Sequence, residues 1–393
     1  MSEQVISPDL NFVKEVIASG GESLKKCFQC ATCSVVCNVT PDDNPFPRKE
    51  MMLAQWGQKD KLFGNPDIWL CHQCSDCTAY CPRGAKPGEV LGAIRKLSLA
   101  HYSRPSFLAK MVGSPKFFLM LFAVPLLLYL IILSAIGHLD FSKPYLNDRG
   151  VMSYSAFLDP TYFIDPVFIA AALFALVIFA KGVSNCWKDM SGHAGKPNVN
   201  IGSALFATIK EILAHKRFKK CTVTKARSTS HLLVFYAFIG LAVTTTMALI
   251  YLYGYKIFGI QAMPFLNFGQ SPYPLTDPMK IIGNISALAL LAGVVLMIMN
   301  RMANSAKAGA GSYYDWLFIG VVFGIMATGI LSEVLREAAV PSMAYPMYLL
   351  HLSFVFFLFA YAPFSKMAHM VYRATAMVFA RATNREGGIG NEN

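Results

Sequence analysis

Cys27-Phe-Gln-Cys30-Ala-Thr-Cys33-Ser-Val-Val-Cys37 is answered downstream by Cys71-His-Gln-Cys74-Ser-Asp-Cys77-Thr-Ala-Tyr-Cys81, followed by Pro82. Each copy has the spacing C-x2-C-x2-C-x3-C, which is that of thiolate ligation to cubane iron–sulfur clusters. Three cysteines two residues apart can wrap a tight loop around one corner of a cluster. The fourth, three residues further on, has turned away, and in chains with two such loops it ligates the other cluster. The spacing therefore predicts one [4Fe-4S] cluster on Cys27, Cys30, Cys33 and Cys81, and a second on Cys71, Cys74, Cys77 and Cys37.

Two other uses of eight cysteines fit less well. Disulfide frameworks belong to small oxidised domains, whereas this run precedes a long apolar chain. A zinc site takes four ligands per ion and has no use for a third cysteine at x2 and a fourth at x3.

The chain has 393 residues, 54% hydrophobic and only 15% charged. Its mean hydropathy is +0.43. Stretches of bilayer length place most of it in a membrane. The net charge of +12 invites a nucleic-acid reading, but no basic face interleaved with aromatics occupies a soluble segment of adequate size, so no nucleic-acid partner is expected. The N-terminus begins with a polar, mixed-charge stretch rather than a basic segment followed by an apolar one, so the cysteine module is expected to stay in the cytoplasm.

Residues 1–105 read as the soluble cluster domain. Helical spacing runs over Asn11 to Ser19, Pro47 to Lys61 and Glu89 to His101, with residues 106–116 as a linker. Six apolar spans follow within 117–372: Phe117 to Gly137, Tyr162 to Gly182, His231 to Tyr253, Met279 to Asn300, Tyr313 to Leu335 and Tyr345 to Tyr372. Residues 184–230 form a loop between spans, and 373–393 a tail. The expected class is mainly α, a two-cluster α-helical domain ahead of a six-helix transmembrane bundle.

Charge orients the bundle. The connection from Lys181 to Ser230 holds Lys181, Lys188, Lys196, Lys210, Lys216, Arg217, Lys219, Lys220, Lys225 and Arg227. The opposite connections with their flanks hold Lys143, Arg149, Lys256, Lys280 and Arg336. The basic side faces the cytoplasm, which puts the cluster domain and the C-terminus on the inner face of the cytoplasmic membrane. Ile201 to Phe218 has amphipathic spacing and is expected to lie on the membrane surface or under a partner subunit.

Ionisable residues inside a span are costly, so the histidines there are functional candidates. His231 opens the third span, and His351 and His369 lie 18 residues apart in the sixth. On one unbroken helix that separation is five turns, or about 27 Å on a single face. Imidazoles at opposite depths suit two haems, each completed by a ligand from a facing helix. His72, His101, His193 and His215 read as surface histidines, and Cys186 and Cys221 as loop thiols.

These stretches resemble known families. The cysteine module is similar to the ferredoxin-like C subunit of heterodisulfide reductase. The run His351-Leu-Ser-Phe-Val-Phe-Phe-Leu-Phe-Ala-Tyr-Ala-Pro-Phe-Ser-Lys-Met-Ala-His369 resembles the last helix of the respiratory nitrate reductase gamma subunit, a dihaem cytochrome b. That resemblance implies that His231 and His369 share an inner haem b. The family's second ligand on the earlier helix falls at Leu241, which cannot bind iron, so His351 is paired with His138 at the end of the first span. A His138 that only caps its helix fits the sequence as well, and Met247 is an alternative ligand.

The order of the two modules resembles the C subunit of the quinone-interacting membrane-bound oxidoreductase of sulfate-reducing microbes. That resemblance implies a subunit exchanging electrons between menaquinone and two soluble flavin and iron–sulfur subunits that serve adenylylsulfate reductase. No G-x-G-x-x-G or G-x4-G-K-[ST] pattern occurs, so flavin chemistry belongs to another chain. Glu333, Arg336 and Glu337, at the outer end of the fifth span, are candidates for proton exchange with a quinone, or solvated helix-end charges. A heterodisulfide-reductase-like or sulfite-pathway membrane complex and a haem-free iron–sulfur anchor are the alternative functions.

Overall fold

The computed structural model describes residues 7–217, 227–260, 271–305 and 311–385. Cys221, Lys219, Lys220 and Lys225 lie outside the described residues. Among the described residues the chain is helical, with one isolated bridge between Leu146 and Met152.

The cluster domain is built from short helices: α1 (Leu10–Ala18), α2 (Thr32–Val35), α3 (Arg48–Gln55), α4 (Lys59–Phe63), α5 (Asp67–Leu70), α6 (Asp76–Ala79) and α7 (Pro87–Tyr102). Asp9 starts α1 by accepting from the Phe12 amide at 2.9 Å, an N-terminal cap. The expected helix from Pro47 to Lys61 is two helices, because Gly57 adopts φ +64° and its Cα approaches the Asp9 backbone so closely that a Cβ would sit 2.6 Å from it. Phe12, Val16, Met51, Ile68, Trp69, Val90 and Ile94 form the apolar centre.

The linker expected over 106–116 contains α8 (Ser106–Val112). After it come α9 (Phe118–Ala135), α10 (Tyr154–Phe157), α11 (Asp165–Ala194), α12 (Ile201–Ala214), α13 (Arg227–Phe258), α14 (Pro278–Ala303), α15 (Tyr313–Glu337), α16 (Pro341–Ala360) and α17 (Met367–Ala382). Six helical stretches are long and apolar enough to cross a membrane: Pro115–Ala135, Pro160–Ala194, Arg227–Phe258, Pro278–Ala303, Tyr313–Glu337 and Pro341–Ala360. The protein is a multi-pass membrane protein. Half of the apolar window of the fifth stretch is buried against 11% in the second and third, so α15 sits at the centre and α11 and α13 turn most of their apolar surface outward.

Three boundaries differ from the sequence reading. The sixth span does not run on to Tyr372: α16 stops at Ala360, a short 3-10 turn covers Ala362–Phe364, and α17 begins at Met367. Pro363 is the cause, since it has no amide hydrogen and its ring clashes with the preceding turn. His351 and His369 therefore sit on separate helices, and the single-face spacing of five turns does not hold. The second span extends to Ala194, so Cys186 lies within a helix and is fully buried rather than in a loop. Residues from 373 are also not a tail as far as Arg385, because Ala376, Met377, Phe379 and Ala380 of α17 are buried.

That last helix fastens the two parts together. Trp69 stacks on Tyr372 at 5.1 Å, Arg385 reaches Asp67 at 2.7 Å, and Ser103 donates to the Pro363 carbonyl at 2.6 Å. The Tyr102 hydroxyl joins the Phe63 carbonyl at 2.9 Å to Asp189 of α11 at 3.0 Å. Cluster domain and bundle share one continuous apolar core.

Candidate functional site

The two cysteine loops have the same backbone. Gln29 and Ala31 follow Cys27 with φ of 58° and 68°, and Gln73 and Ser75 follow Cys71 with φ of 52° and 70°. Left-handed conformations cost non-glycine residues about 1–2 kcal/mol each. Their repetition at matching places marks a backbone curled around something rather than an accident of packing.

Cys27, Cys30, Cys33 and Cys81 line a single small cavity, so the first loop's three cysteines meet the last cysteine of the second loop. Electrostatics groups the thiols in the same way. Burial, and then Cys27, Cys81 and Cys30, push the Cys33 thiol up to about 11. Burial, and then Cys71 and Cys74, push Cys37 up to about 12. Burial, and then Cys71, Cys74 and Cys37, raise Cys77. Thiols raised this far hold their protons in water, so metal charge is what would keep them as thiolate ligands. The first set has one exposed cysteine, Cys30, and one buried, Cys33, whereas the second has two buried, Cys71 and Cys77, and none exposed, so the first lies nearer solvent.

Between the second cysteine loop and the membrane helices lies a cavity of about 1020 Å³. His72, Gln73 and Ser75 line it from the loop, and His231 of α13 and His369 of α17 line it from the bundle. Phe235, Met297, Phe318, Ile319 and Met370 supply apolar wall, and Arg95, Arg227, Arg301, Lys366 and Arg373 a cationic part. Arg227 donates to the Gln73 carbonyl at 2.6 Å, tying the start of α13 to the loop. Asp315 pairs with Lys366 and Arg301, and Glu211 with Arg217 and Arg381. Two imidazoles from different helices, an apolar wall and cations on one cavity are a donor set that fits haem b.

Two of the histidines expected at the surface belong here. His215 is buried, and its Nε2 lies 3.2 Å from Nδ1 of His231, so it fixes which way the His231 ring faces. His72 is buried against Arg373, and burial followed by the Arg373 charge lowers its pKa well below the usual histidine value. His101 and His193 are exposed, as expected. Sequence reasoning missed His72, which stands at a variable position of the second cysteine motif, and His215, Arg95 and Arg373, which fall in no motif or apolar span.

The two histidines expected to form the outer pair each have their own neighbours. His138 has Nδ1 2.7 Å from the Phe157 carbonyl and its ring 4.4 Å from Tyr145. His351 has Nδ1 3.0 Å from the Ile325 carbonyl and 3.3 Å from the Thr328 hydroxyl. Among the described residues no contact joins the two rings. Leu241 and Met247 lie on α13, which has its packing partner in α14.

Glu333 is half-buried near the end of its helix. Its carboxylate accepts from Lys280 at 2.7 Å and from Asn284 at 3.2 Å, both on α14. Arg336 is buried and pairs with Glu337.

Residues 23–85 match the 4Fe-4S dicluster domain family, which covers both cysteine loops and makes this an iron–sulfur domain. The chain is 35% identical over 112 residues to the C subunit of the H(2):CoB-CoM heterodisulfide,ferredoxin reductase of Methanothermobacter marburgensis, covering 27% of this chain and 57% of that protein. The chain thus spans little more than half the length of that relative. It is 29% identical over 219 residues to the E subunit of the dihydromethanophenazine:CoB--CoM heterodisulfide reductase of Methanosarcina thermophila, covering 51% of this chain and 73% of that protein. The E subunit from Methanosarcina barkeri is 30% identical over 192 residues, covering 47% of this chain and 68% of that protein. No solved structure matches the chain. An iron–sulfur dicluster domain sharing one core with a membrane bundle, together with that coverage, means that the chain belongs to the family of the heterodisulfide reductase E subunit.

Proposed function

We propose that this chain is the membrane electron-transfer subunit of an oxidoreductase complex, linking a lipid-soluble reductant to soluble partner subunits. The observation that carries the reading is the shared cavity: His231 and His369 from the bundle and His72, Gln73 and Ser75 from the second cysteine loop line the same space. When bound, haem b at that cavity and [4Fe-4S] clusters on the two cysteine sets supply one-electron chemistry. The chain's own part is to hold them in sequence. His231 and His369 are the inner haem ligands, Cys71, Cys74, Cys77 and Cys37 hold the nearer cluster, and Cys27, Cys30, Cys33 and Cys81 the outward one.

The reductant is menaquinol, and the soluble partners are flavin and iron–sulfur subunits that serve adenylylsulfate reductase in sulfate respiration. Menaquinol oxidation releases two electrons and two protons, so a base must sit by the quinol hydroxyl. Glu333, with Arg336 nearby on the same helix, has that role, and Lys280 and Asn284 of α14 fix the position of its carboxylate. The cluster domain and C-terminus lie on the cytoplasmic side, by the basic residues around α12.

A second reading is favoured by the relatives, whose names give dihydromethanophenazine and the CoB--CoM heterodisulfide as the reactants of their complexes. The membrane step is of the same kind, with a different lipid-soluble carrier and a different soluble acceptor. Reduction of the purified complex by menaquinol or by dihydromethanophenazine analogues separates the two.

The test of the common reading is a pyridine haemochrome assay with paramagnetic resonance of the reduced clusters. Wild-type protein is expected to hold haem b, and His231→Ala and His369→Ala each to lose the same haem while both cluster signals persist. Wild-type protein without haem overturns the haem-linked relay and leaves an iron–sulfur anchor.

A further inference from the structure

On one side of the haem cavity stand two guanidiniums, those of Arg95 and Arg373, that form no ion pair among the described residues. Arg95 of α7 is 4% exposed, and its Nη1 donates to the Ile68 carbonyl at 3.1 Å and the Cys71 carbonyl at 3.2 Å. Its Nη2 is buried and has no hydrogen-bond partner among the described residues. Arg373 of α17 donates to the same Cys71 carbonyl at 3.5 Å and to the His72 ring. These partners of the two guanidiniums are neutral, and both arginines line the cavity. Of their charged neighbours there, Lys366 and Arg301 pair with Asp315, and Arg217 pairs with Glu211.

Two buried cations side by side repel, and a buried charge without a counter-charge is costly by several kcal/mol. Each guanidinium presents a planar fork of donors matched to a carboxylate. Neither neutral carbonyls nor His72 uses that fork.

We propose that Arg95 and Arg373 together form a carboxylate site in this cavity, and that its occupant is a propionate of the haem held by His231 and His369. The site draws one arginine from the cluster domain and one from the helix after the last span, so the haem is gripped across the junction between the two parts. Because both arginines also hold the Cys71 carbonyl, the carboxylate end of the haem and a cysteine ligand of the nearer cluster share the same two donors. The inference rests on the haem reading above.

Arg95 and Arg373 act on the haem potential as positioning residues. A cation beside a propionate stabilises the reduced, more negative haem, so its removal lowers the midpoint. The experiment is an optical redox titration of the detergent-purified complex, with haem content and cluster resonance measured on the same sample. Arg95→Gln is expected to keep its haem and both clusters while the midpoint of the His231/His369 haem falls. Arg95→Lys, which keeps the charge, is expected to restore most of it. An unchanged midpoint in Arg95→Gln at full haem content overturns the proposal. If Arg95→Gln does not assemble, Arg373→Gln carries the same test with the same two outcomes. Wild-type protein without haem refutes the underlying reading instead, and the proposal with it.

Discussion

The indole of Trp69 lies over the phenol of Tyr372 with ring centroids 5.1 Å apart and 24° between the planes. One ring belongs to a short helix leading into the second cysteine loop, the other to the helix that follows the last apolar span. His369, one turn earlier, has its ring 6.0 Å from the same indole. The contact thus sets the distance between a cluster loop and a cavity histidine.

Trp69 is fully buried, so Trp69→Ala removes a large packing unit at this junction. A loss of about 3–5 kcal/mol is expected, against about 1 kcal/mol or less for Trp69→Tyr, whose ring still stacks. Limited proteolysis within residues 103–116 reads the undocking. Equal resistance of wild type and Trp69→Ala would mean that other contacts hold the two parts together.

The exchange of fourth cysteines between the loops is testable by iron counting in double variants. Cys30→Ser with Cys81→Ser removes two ligands from one set and is expected to leave about half of the iron, since one of two clusters survives. Cys30→Ser with Cys37→Ser strikes both sets and is expected to lose most of it. The reverse pattern would return each fourth cysteine to its own loop.

His215 orients His231 through a ring-to-ring hydrogen bond of 3.2 Å. Losing such a partner behind a metal ligand costs about 10–100-fold in affinity. His215→Ala is therefore expected to shed haem during gel filtration more readily than wild type, with cluster signals intact. Retention equal to wild type would reduce His215 to packing.

Glu50 is fully buried, accepts from Asn65 at 2.9 Å and sits beside Asp67, with Lys49 3.5 Å away. Burial first, and then the Asp67 charge, pushes its carboxyl above the usual range. Over the interval between the ordinary and the raised value the folded protein holds a proton that the unfolded chain has released. Stability from this group therefore falls as pH rises through that interval. Glu50→Gln keeps the acceptor for Asn65 and removes the proton, so its thermal midpoint is expected to depend less on pH over about pH 4 to 8. Parallel profiles for the two proteins would assign the dependence elsewhere.

The architecture was legible where chemistry repeats. Two identical cysteine spacings announced the dicluster domain, and six apolar runs announced the membrane part, because both follow from local composition. The ends of elements were harder to read. Pro363 looked like one proline inside a long apolar stretch, and such prolines are tolerated in spans, as Pro125 and Pro346 are here. The cavity's charged wall was invisible in sequence, since Arg95 and Arg373 lie 278 positions apart and meet only because α17 folds back onto the cluster domain. His72 and His215 escaped for the same reason: their burial depends on partners brought by tertiary packing.

The interruption between Ala360 and Met367 has a mechanical result. His351 travels with the rod embedded in lipid, and His369 with the short arm on which the cysteine-bearing part rests. Whatever loosens the cysteine-bearing part therefore bears on the His369 ring directly and reaches His351 only across the break.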